Sequence, residues 1–295
     1  MPTWGQILTE IQTAIKNGDT TPYDTVRNKY LKELFEKTHT NTIIYASRWT
    51  SVDVPANIIS ITDEDLQAFM EAVHGLKGDN LDLILHTGGG SAEATDAIVT
   101  YLRQKFNEIR VFIPQAAMSA GTMFALAADE IVMGKHSFIG PIDPQFILNT
   151  PIGIQAVPAQ AILEQFKKAQ RDCAENPKNL SSWLPMLGQY GPALLVQCQN
   201  QIDFGKDLVK TWLANYMFKG GNNEKADEIA EYLSNHNNFK THGKHIDKQK
   251  AKDLGLKIID LESDQDLQEK VLSVFHATML TLSSTTAVKV TLTIH

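Results

Sequence analysis

The chain has 295 residues, 43% of them hydrophobic and 21% charged, which is typical of a globular protein with enough apolar material for one large domain or two small ones. Its net charge of −7 gives no indication of a basic surface of the kind that binds nucleic acid or anionic membranes. The first residues lack the basic and apolar regions of a signal peptide, and no apolar run reaches the ~18 residues of a transmembrane helix, so we expect a soluble, cytoplasmic protein.

The first third of the chain alternates between helical and strand patterns. Apolar spacing predicts helices over residues 3–17 and 25–38, and an apolar, β-branched run predicts a core strand over 41–48. Thr62 is the expected N-cap of the next helix, because three acidic residues follow it and suit the positive end of a helix. A strand over 81–86 then leads through a glycine-rich turn to a helix over 93–106.

The alternation continues with a strand over 109–113, a buried helix after Gly121 and a short strand over 130–133. Such an order predicts right-handed βαβ units and an α/β fold. Residues 158–171, 191–218 and 223–234 show helical spacing, and 287–295 alternates like an exposed or swapped strand. We expect N-terminal helices over 1–40, a core over 41–150 and a mainly helical extension over 151–295 that packs on the core.

Ser119 lies where a predicted strand gives way to a helix, and two interpretations apply to it. Serine is a preferred N-cap residue, and most serines at helix starts do nothing else. The backbone N–H groups at a helix start are also unpaired, and they can stabilise the oxyanion that forms when a serine attacks a carbonyl. The local sequence favours the cap, so the nucleophile hypothesis needs support from elsewhere in the chain.

The turn Gly88–Gly90 supplies that support. Three consecutive glycines permit positive φ angles and leave their backbone N–H groups uncovered by side chains. The run is typical of a tight turn and lacks the residues of a phosphate-binding loop. Loops at the carboxyl ends of neighbouring parallel strands open into one crevice, so this turn and Ser119 are expected to meet there and to form an oxyanion hole.

Four sequence blocks together carry a family resemblance: 83–91 (LILHTGGGS), 117–122 (AMSAGT), 127–133 (AADEIVM) and 140–145 (GPIDPQ). In this order they resemble the Clp-protease/crotonase superfamily, and within it the serine dehydrogenase proteinase family, related to the Clp peptidase and signal peptide peptidase A. Residues 239–242 and 251–256 resemble the C-terminal block of that family. The resemblance implies a Clp/crotonase-like α/β fold of repeated ββα units.

The resemblance also implies roles for individual residues. Ser119 becomes the nucleophile, and the N–H groups of Gly89 or Gly90 and of Ala120 form the oxyanion hole. The Clp peptidase has its histidine near positions 142–143, where this chain has none. The order Ser, Asp, His of the serine dehydrogenase proteinases instead implies Asp143 and His242 as the other two members of a triad.

The residues themselves leave other interpretations open for these roles. Asp143 stands between two prolines, where an aspartate also serves as a turn residue. His245 is an alternative to His242 as the base, and both are typical of a surface loop. The two histidines have the spacing of a metal pair, but no third ligand lies near them in the sequence, so we expect no metal and no other cofactor. Lys168 is the candidate base of a Ser–Lys dyad, although a lysine on a helix is more often solvated; Lys135 and His136 also follow a strand that leads towards the site.

The sequence therefore predicts a soluble, ATP-independent serine endopeptidase that cleaves peptide bonds through an acyl-enzyme on Ser119. Its expected partners are peptides or unfolded proteins and, because peptidases of this superfamily assemble into rings or trimers, further copies of itself. Two alternatives remain open: a crotonase-type hydrolase or lyase acting on an acyl-CoA, and a scaffold that kept the fold without the chemistry. No nucleic acid and no membrane span are expected.

Overall fold

A computed structural model describes residues 3–51, 53–150 and 153–294 of the chain. No helix in these ranges is both long and apolar enough to cross a membrane. The helices of the described residues are α1 (Trp4–Lys16), α2 (Pro22–Thr38), α3 (Ala56–Ile59), α4 (Glu64–Val73), α5 (Ala92–Lys105), α6 (Ala120–Leu126), α7 (Ala159–Glu175), α8 (Leu180–Leu187), α9 (Leu194–Asn215), α10 (Asn223–Ser234), α11 (Lys248–Asp253) and α12 (Gln265–Ser284).

The strands of the described residues fall into three sheets. They are β1 (Asn41–Ser47), β2 (Asn80–His86), β3 (Glu108–Ile113), β4 (Ala116–Ala117), β5 (Glu130–Met133), β6 (Phe138–Ile139), β7 (Gln145–Thr150), β8 (Gly153–Pro158), β9 (Ile246–Asp247), β10 (Ile258–Asp260) and β11 (Lys289–Thr293). The main sheet has the order β10-β5-β3-β2-β1-β11 and is parallel except for its edge strand β11. The other two sheets are β4-β6-β9 and the hairpin β7-β8.

The main sheet is buried on both faces, because successive side chains of a strand point to opposite sides. On β1, Ile43 and Tyr45 join one core cluster while Ile44 joins the other. The first cluster includes apolar residues of α4, α5, α6, α9 and α10, and the second those of α1, α2 and α12. This three-layer arrangement confirms the predicted α/β class, and it explains why the central strands are mainly apolar.

A smaller apolar cluster lies away from the main sheet. It joins the hairpin β7-β8 to α7 and to the first turns of α9, with Ala159, Ile162, Leu194 and Cys198 buried. The first strand of the hairpin, β7, begins at Gln145, the last residue of the 140–145 block. Residues 151 and 152, between β7 and β8 in the sequence, lie outside the described ranges.

Two sequence expectations about the fold are corrected by the structure. Thr62 does not cap α4: the N-cap position is Asp63, and the carboxylate of Asp65 accepts the Thr62 N–H at 2.8 Å. That carboxylate is held by Lys289 of β11, at 2.8 Å from Nζ, a contact that no local pattern encodes. The C-terminal strand is neither free nor swapped, because Lys289–Thr293 pairs antiparallel with β1 of the same chain; His295 lies outside the described residues.

Candidate active site

The glycine turn and the Ser119 loop leave neighbouring strands of the main sheet. Strands β2 and β3 are parallel neighbours, and both loops begin at their carboxyl ends. Thr87 pairs with Ala117: the Thr87 N–H donates to the carbonyl of Ala116 at 3.1 Å, and the Met118 N–H donates to the carbonyl of Thr87 at 2.9 Å. The predicted meeting of the two loops is therefore present, fixed by main-chain hydrogen bonds.

Ser119 occupies the N-cap position of α6 without acting as a cap. Its side chain makes no capping hydrogen bond, and its backbone has φ 52° and ψ −121°, whereas ordinary N-caps are extended. A non-glycine residue in such a sparsely populated region costs about 1–3 kcal/mol, and such residues cluster at functional sites. The N-cap interpretation is therefore wrong, and the half-buried side chain is left free.

The glycine turn approaches Ser119 more closely than any other residue type would allow. Gly89 has φ 103°, and a Cβ added to it would lie 2.7 Å from the Met118 carbonyl oxygen and 2.8 Å from the Ser119 Cβ. A Cβ on Gly90 would overlap the backbone of Ile61, which accepts and donates hydrogen bonds on either side of the turn. Both glycines are therefore required by close packing as well as by the turn.

The N–H groups around Ser119 differ in their availability. The Gly89 N–H donates to the Thr87 Oγ1 at 3.1 Å, so it is already engaged. The N–H groups of Gly90 and of Ala120 have no acceptor among the residues that the structure describes. Of the three predicted oxyanion-hole residues, Gly90 and Ala120 are thus the two with free donors beside Ser119.

The three-stranded sheet β4-β6-β9 gathers the predicted triad residues. Ser119 comes two residues after β4, Asp143 four residues after β6, and His242 four residues before β9. Thr122 of α6 ties two of these segments together, because its Oγ1 donates to the Ala117 carbonyl and accepts from the Gly140 N–H, both at 2.8 Å. Residues distant in sequence are brought to one site by strands of only two residues each.

Asp143 is buried and accepts hydrogen bonds from three side chains. His242 Nδ1 lies 2.8 Å from its Oδ1, while His236 Nδ1 lies 2.8 Å and Gln145 Nε2 3.0 Å from its Oδ2. A carboxylate that accepts from Nδ1 leaves Nε2 of the imidazole as the proton acceptor. Gln160 also fixes the segment of His236, because its Oε1 accepts the His236 N–H at 2.9 Å.

Sequence reasoning missed His236. The residue follows α10 in the sequence His-Asn-Asn, a pattern typical of a polar loop, and nothing in it indicates a partner 93 residues earlier. A search for every histidine placed within reach of a buried carboxylate would have found it, but that search needs the tertiary structure.

Ser119 and His242 line the same cleft, which has a volume of about 590 Å³. The two side chains are not hydrogen-bonded to each other. Catalytic hydrogen bonds are often longer in a protein without substrate and tighten in the complex. Further lining residues come from the glycine turn, from the start of α5, from α6, from 142–146 and from one face of α9: Gly90, Ala92, Glu93, Ala120, Met123, Ile142, Pro144, Gln145, Phe146, Gln197, Asn200, Gln201 and Gly205.

The alternative bases lie elsewhere. His245 stacks on Phe138 with ring centroids 4.9 Å apart and, like His136, lines a different pocket. Lys168 is exposed on α7 and does not line the cleft, and neither does Lys135. The structure therefore brings Asp143 and His242 to Ser119 and leaves His245 and Lys168 apart from it.

His86 ends β2, directly before the glycine turn, and is fully buried. Its ring lies 5.1 Å from that of Phe275 and 5.7 Å from that of Trp49, measured between centroids. Burial lowers the pKa of His86 to about 4, so the imidazole is neutral at pH 7. Within the described ranges, no group of three or more His, Cys, Asp or Glu residues is placed to hold a metal ion.

Comparison with known proteins places the chain in a family. The family model described as ClpP-like SDH-type serine proteinase matches residues 17–183, more than half of the chain. Two uncharacterized proteins of Methanocaldococcus jannaschii are 31% identical over 236 residues and 33% identical over 199 residues. The alignments cover 79% and 67% of this chain, and 73% and 59% of the respective relatives, so the chain spans less than two thirds of the second relative.

Solved structures show weaker similarity. The membrane-bound stomatin-specific protease 1510-N has 17% identity and a TM-score of 0.41, covering 72% of this chain and 79% of that one. ClpP1 from Listeria monocytogenes has 15% identity and a TM-score of 0.39, covering 79% and 98%. The sequence comparisons confirm the resemblance inferred from the four blocks: the chain belongs to the family of ClpP-like SDH-type serine proteinases.

Proposed function

We propose that this chain is an ATP-independent serine endopeptidase that hydrolyses peptide bonds through an acyl-enzyme on Ser119. One observation carries the proposal: an uncapped serine, two free N–H groups and a carboxylate-bound imidazole surround one cleft. Each of these features has an ordinary structural explanation alone. Their combination is what acyl transfer needs.

In the proposed mechanism, the hydroxyl of Ser119 attacks the carbonyl carbon of the substrate while His242 Nε2 takes the hydroxyl proton. The carbonyl oxygen becomes an oxyanion that accepts from the N–H groups of Gly90 and Ala120; one such donor is worth about 10²–10³ in kcat. His242 then gives its proton to the leaving amine, the C–N bond breaks, and the acyl group remains on Ser119. Water then attacks the ester while His242 Nε2 takes a proton from it. The bond between the acyl carbon and Ser119 Oγ breaks as His242 returns that proton to Oγ, which releases the carboxylic acid and restores the hydroxyl.

Asp143 has the role of holding His242. Its carboxylate binds Nδ1 and so keeps Nε2 free, and it stabilises the imidazolium that forms during each step. A buried carboxylate with three donors cannot turn easily, and this fixes the imidazole in turn.

The open alternatives fit the site less well. A Ser–Lys dyad needs a lysine in the cleft, and none of the residues described there is a lysine. The family match favours a peptidase over an enzyme that acts on acyl-CoA. A scaffold without chemistry would have no need of the strained backbone at Ser119, which costs stability.

The test is hydrolysis of a fluorescently labelled unfolded protein such as casein. We expect Ser119→Ala to abolish hydrolysis, whereas the exposed Ser181→Ala on α8 keeps it. Addition of ATP or of a chelator should change nothing. Full activity of Ser119→Ala would contradict the proposal.

We also propose that copies of the chain associate through the hairpin β7-β8 and the adjoining helices. Large apolar side chains are exposed there: Ile147 is 67%, Ile154 74%, Leu184 56% and Val196 63% exposed. Several exposed large apolar side chains on neighbouring elements are typical of an interface. Light scattering should give a multiple of the monomer mass for the wild type and a smaller particle for Ile147→Ser with Ile154→Ser; a monomeric wild type would contradict association.

A further inference from the structure

The cleft around Ser119 carries an unbalanced negative charge. Among its described lining residues Glu93 is the one carboxylate, and none is lysine or arginine. The remaining charge-capable group there is the imidazole of His242, which is engaged with Asp143. A substrate side chain entering the cleft therefore meets a carboxylate with no internal counter-ion.

The carboxylate of Glu93 is fixed in position although it is exposed. Ser91 Oγ donates to its Oε2 at 2.8 Å, and Gln201 Nε2 donates to its Oε1 at 3.1 Å. Partial burial raises the pKa of Glu93, but hydrogen bonds from its own N–H, from Gln201 and from Ser91 outweigh it and hold the pKa below the ordinary value. Each oxygen keeps lone-pair capacity for a further donor.

The α9 side of the cleft, which includes Gln201, is polar but uncharged. Gln197, Asn200 and Gln201 of α9 line the cleft with carboxamides, whose oxygens accept hydrogen bonds. Gly205, one turn further along α9, leaves this part of the cleft without a side chain, and a glycine inside a helix costs up to about 1 kcal/mol relative to alanine. The nearest atom to a Cβ added there is Met123 Cε at 3.9 Å, so packing does not force glycine at this position.

We propose that the cleft takes peptides with a lysine or arginine side chain next to the scissile bond, and that Glu93 is the residue that selects them. This inference rests on the proposed peptidase function of Ser119. Lysine and arginine carry donors only and a positive charge, so they match a carboxylate whose neighbours in the cleft are uncharged carboxamides. An acidic side chain would face Glu93 with no cation to offset it.

A rival explanation of Glu93 is structural, because acidic residues in the first turn of a helix favour the helix dipole. The two explanations differ in what they affect. If Glu93 only stabilises the dipole of α5, its replacement changes the free energy of unfolding and does not change the substrate preference. A selecting residue changes kcat/KM for cationic peptides only.

The test uses peptides that differ in one residue, with Lys, Arg, Gln, norleucine or Glu placed at each of two positions on either side of the cleaved bond. Wild type should prefer Lys or Arg at one position, and Glu93→Gln should lower kcat/KM for those peptides about tenfold, equivalent to about 1.4 kcal/mol. The norleucine peptides should stay within about twofold, and the preference should shrink with added salt. Asp96→Asn is the matched control, since it removes a charge from α5 outside the cleft.

Binding to Ser119→Ala, measured by fluorescence anisotropy with the same peptides, separates this inference from the proposed function. Cleavage without a cation preference overturns the inference and leaves the peptidase in place. Absence of cleavage with Glu93-dependent binding of Lys or Arg peptides overturns the peptidase and supports the cation site. Absence of both cleavage and preferential binding overturns both.

Discussion

Replacement of Ser119 by glycine should stabilise the protein relative to replacement by alanine. Both variants lack the hydroxyl, so they differ only in the backbone freedom and the Cβ of one residue. Alanine keeps the Cβ in a conformation with φ 52° and ψ −121°, whereas glycine adopts such angles without steric cost. The comparison isolates the strain that the fold stores at the proposed nucleophile.

The size of the difference follows from two opposing terms. Relief of strain at a sparsely populated backbone conformation contributes about 1–3 kcal/mol, and the extra entropy that glycine gives the unfolded chain costs about 0.4–1 kcal/mol. We therefore expect Ser119→Gly to be more stable than Ser119→Ala by about 1 kcal/mol, measured from urea unfolding curves with equal slopes.

The control for this measurement is an alanine in an ordinary helical conformation. Ala97 is exposed in α5, and Ala97→Gly should destabilise the protein by about 1 kcal/mol, the opposite sign. If Ser119→Gly were equal to or less stable than Ser119→Ala, the backbone at this position would not be strained, and the strain argument for a functional serine would be refuted.

Three further predictions concern the turn, the carboxylate and the buried imidazole. Gly89→Ala should abolish peptidase activity, because its Cβ would overlap the Ser119 loop, whereas Gly18→Ala, with φ 83° and nothing within 4 Å, should lose stability but keep activity; an active Gly89→Ala would contradict the packing. Asp143→Asn should lower kcat by about two to four orders of magnitude, and His236→Ala should lower it less, because one imidazole stays bound to Asp143; steady-state kinetics would show whether this order is reversed. Burial holds the pKa of His86 at about 4, against 6.5 in the unfolded chain, so between these pH values only the unfolded chain binds the proton. The free energy of unfolding should therefore fall by about 3 kcal/mol as the pH drops from 6.5 to 4. In His86→Leu the free energy of unfolding should depend less steeply on pH over this range, and an unchanged dependence would contradict the burial argument.

The layers of the fold could be predicted because their causes are local. Strands β1, β2 and β3 are mainly apolar since both faces of the sheet are covered, and the helices between them show their buried stripe in the sequence. The meeting of the glycine turn with Ser119 followed from a general property of parallel sheets, that loops at the carboxyl ends of neighbouring strands share one edge.

The remaining features depend on tertiary contacts that no short pattern encodes. Strands β4, β6 and β9 have two residues each, too few for any periodicity, yet they bring Asp143 and His242 together. The contact of His236 with Asp143 and the pairing of β11 with β1 join segments more than 90 residues apart. The positive φ of Ser119 could not be predicted from the sequence, because glycine is the residue type that indicates such a conformation.

The proposed specificity residue Glu93 and the proposed triad come from different kinds of segment. The triad residues come from loops that the sequence blocks made conspicuous, whereas Glu93 and Gln201 come from helices whose motifs carry no such signal. In these two proposals, the chemistry of the reaction and the choice of substrate depend on different parts of the chain.

The most direct test of the nucleophile is labelling with a fluorophosphonate followed by mass spectrometry of the digested protein. We predict a single adduct on Ser119, formed much more slowly in Asp143→Asn, where His242 loses its carboxylate, and absent in Ser119→Ala. Absence of any adduct in a folded wild type, or an adduct on another serine that persists in Ser119→Ala, would contradict the assignment of Ser119 as the residue that forms the acyl-enzyme.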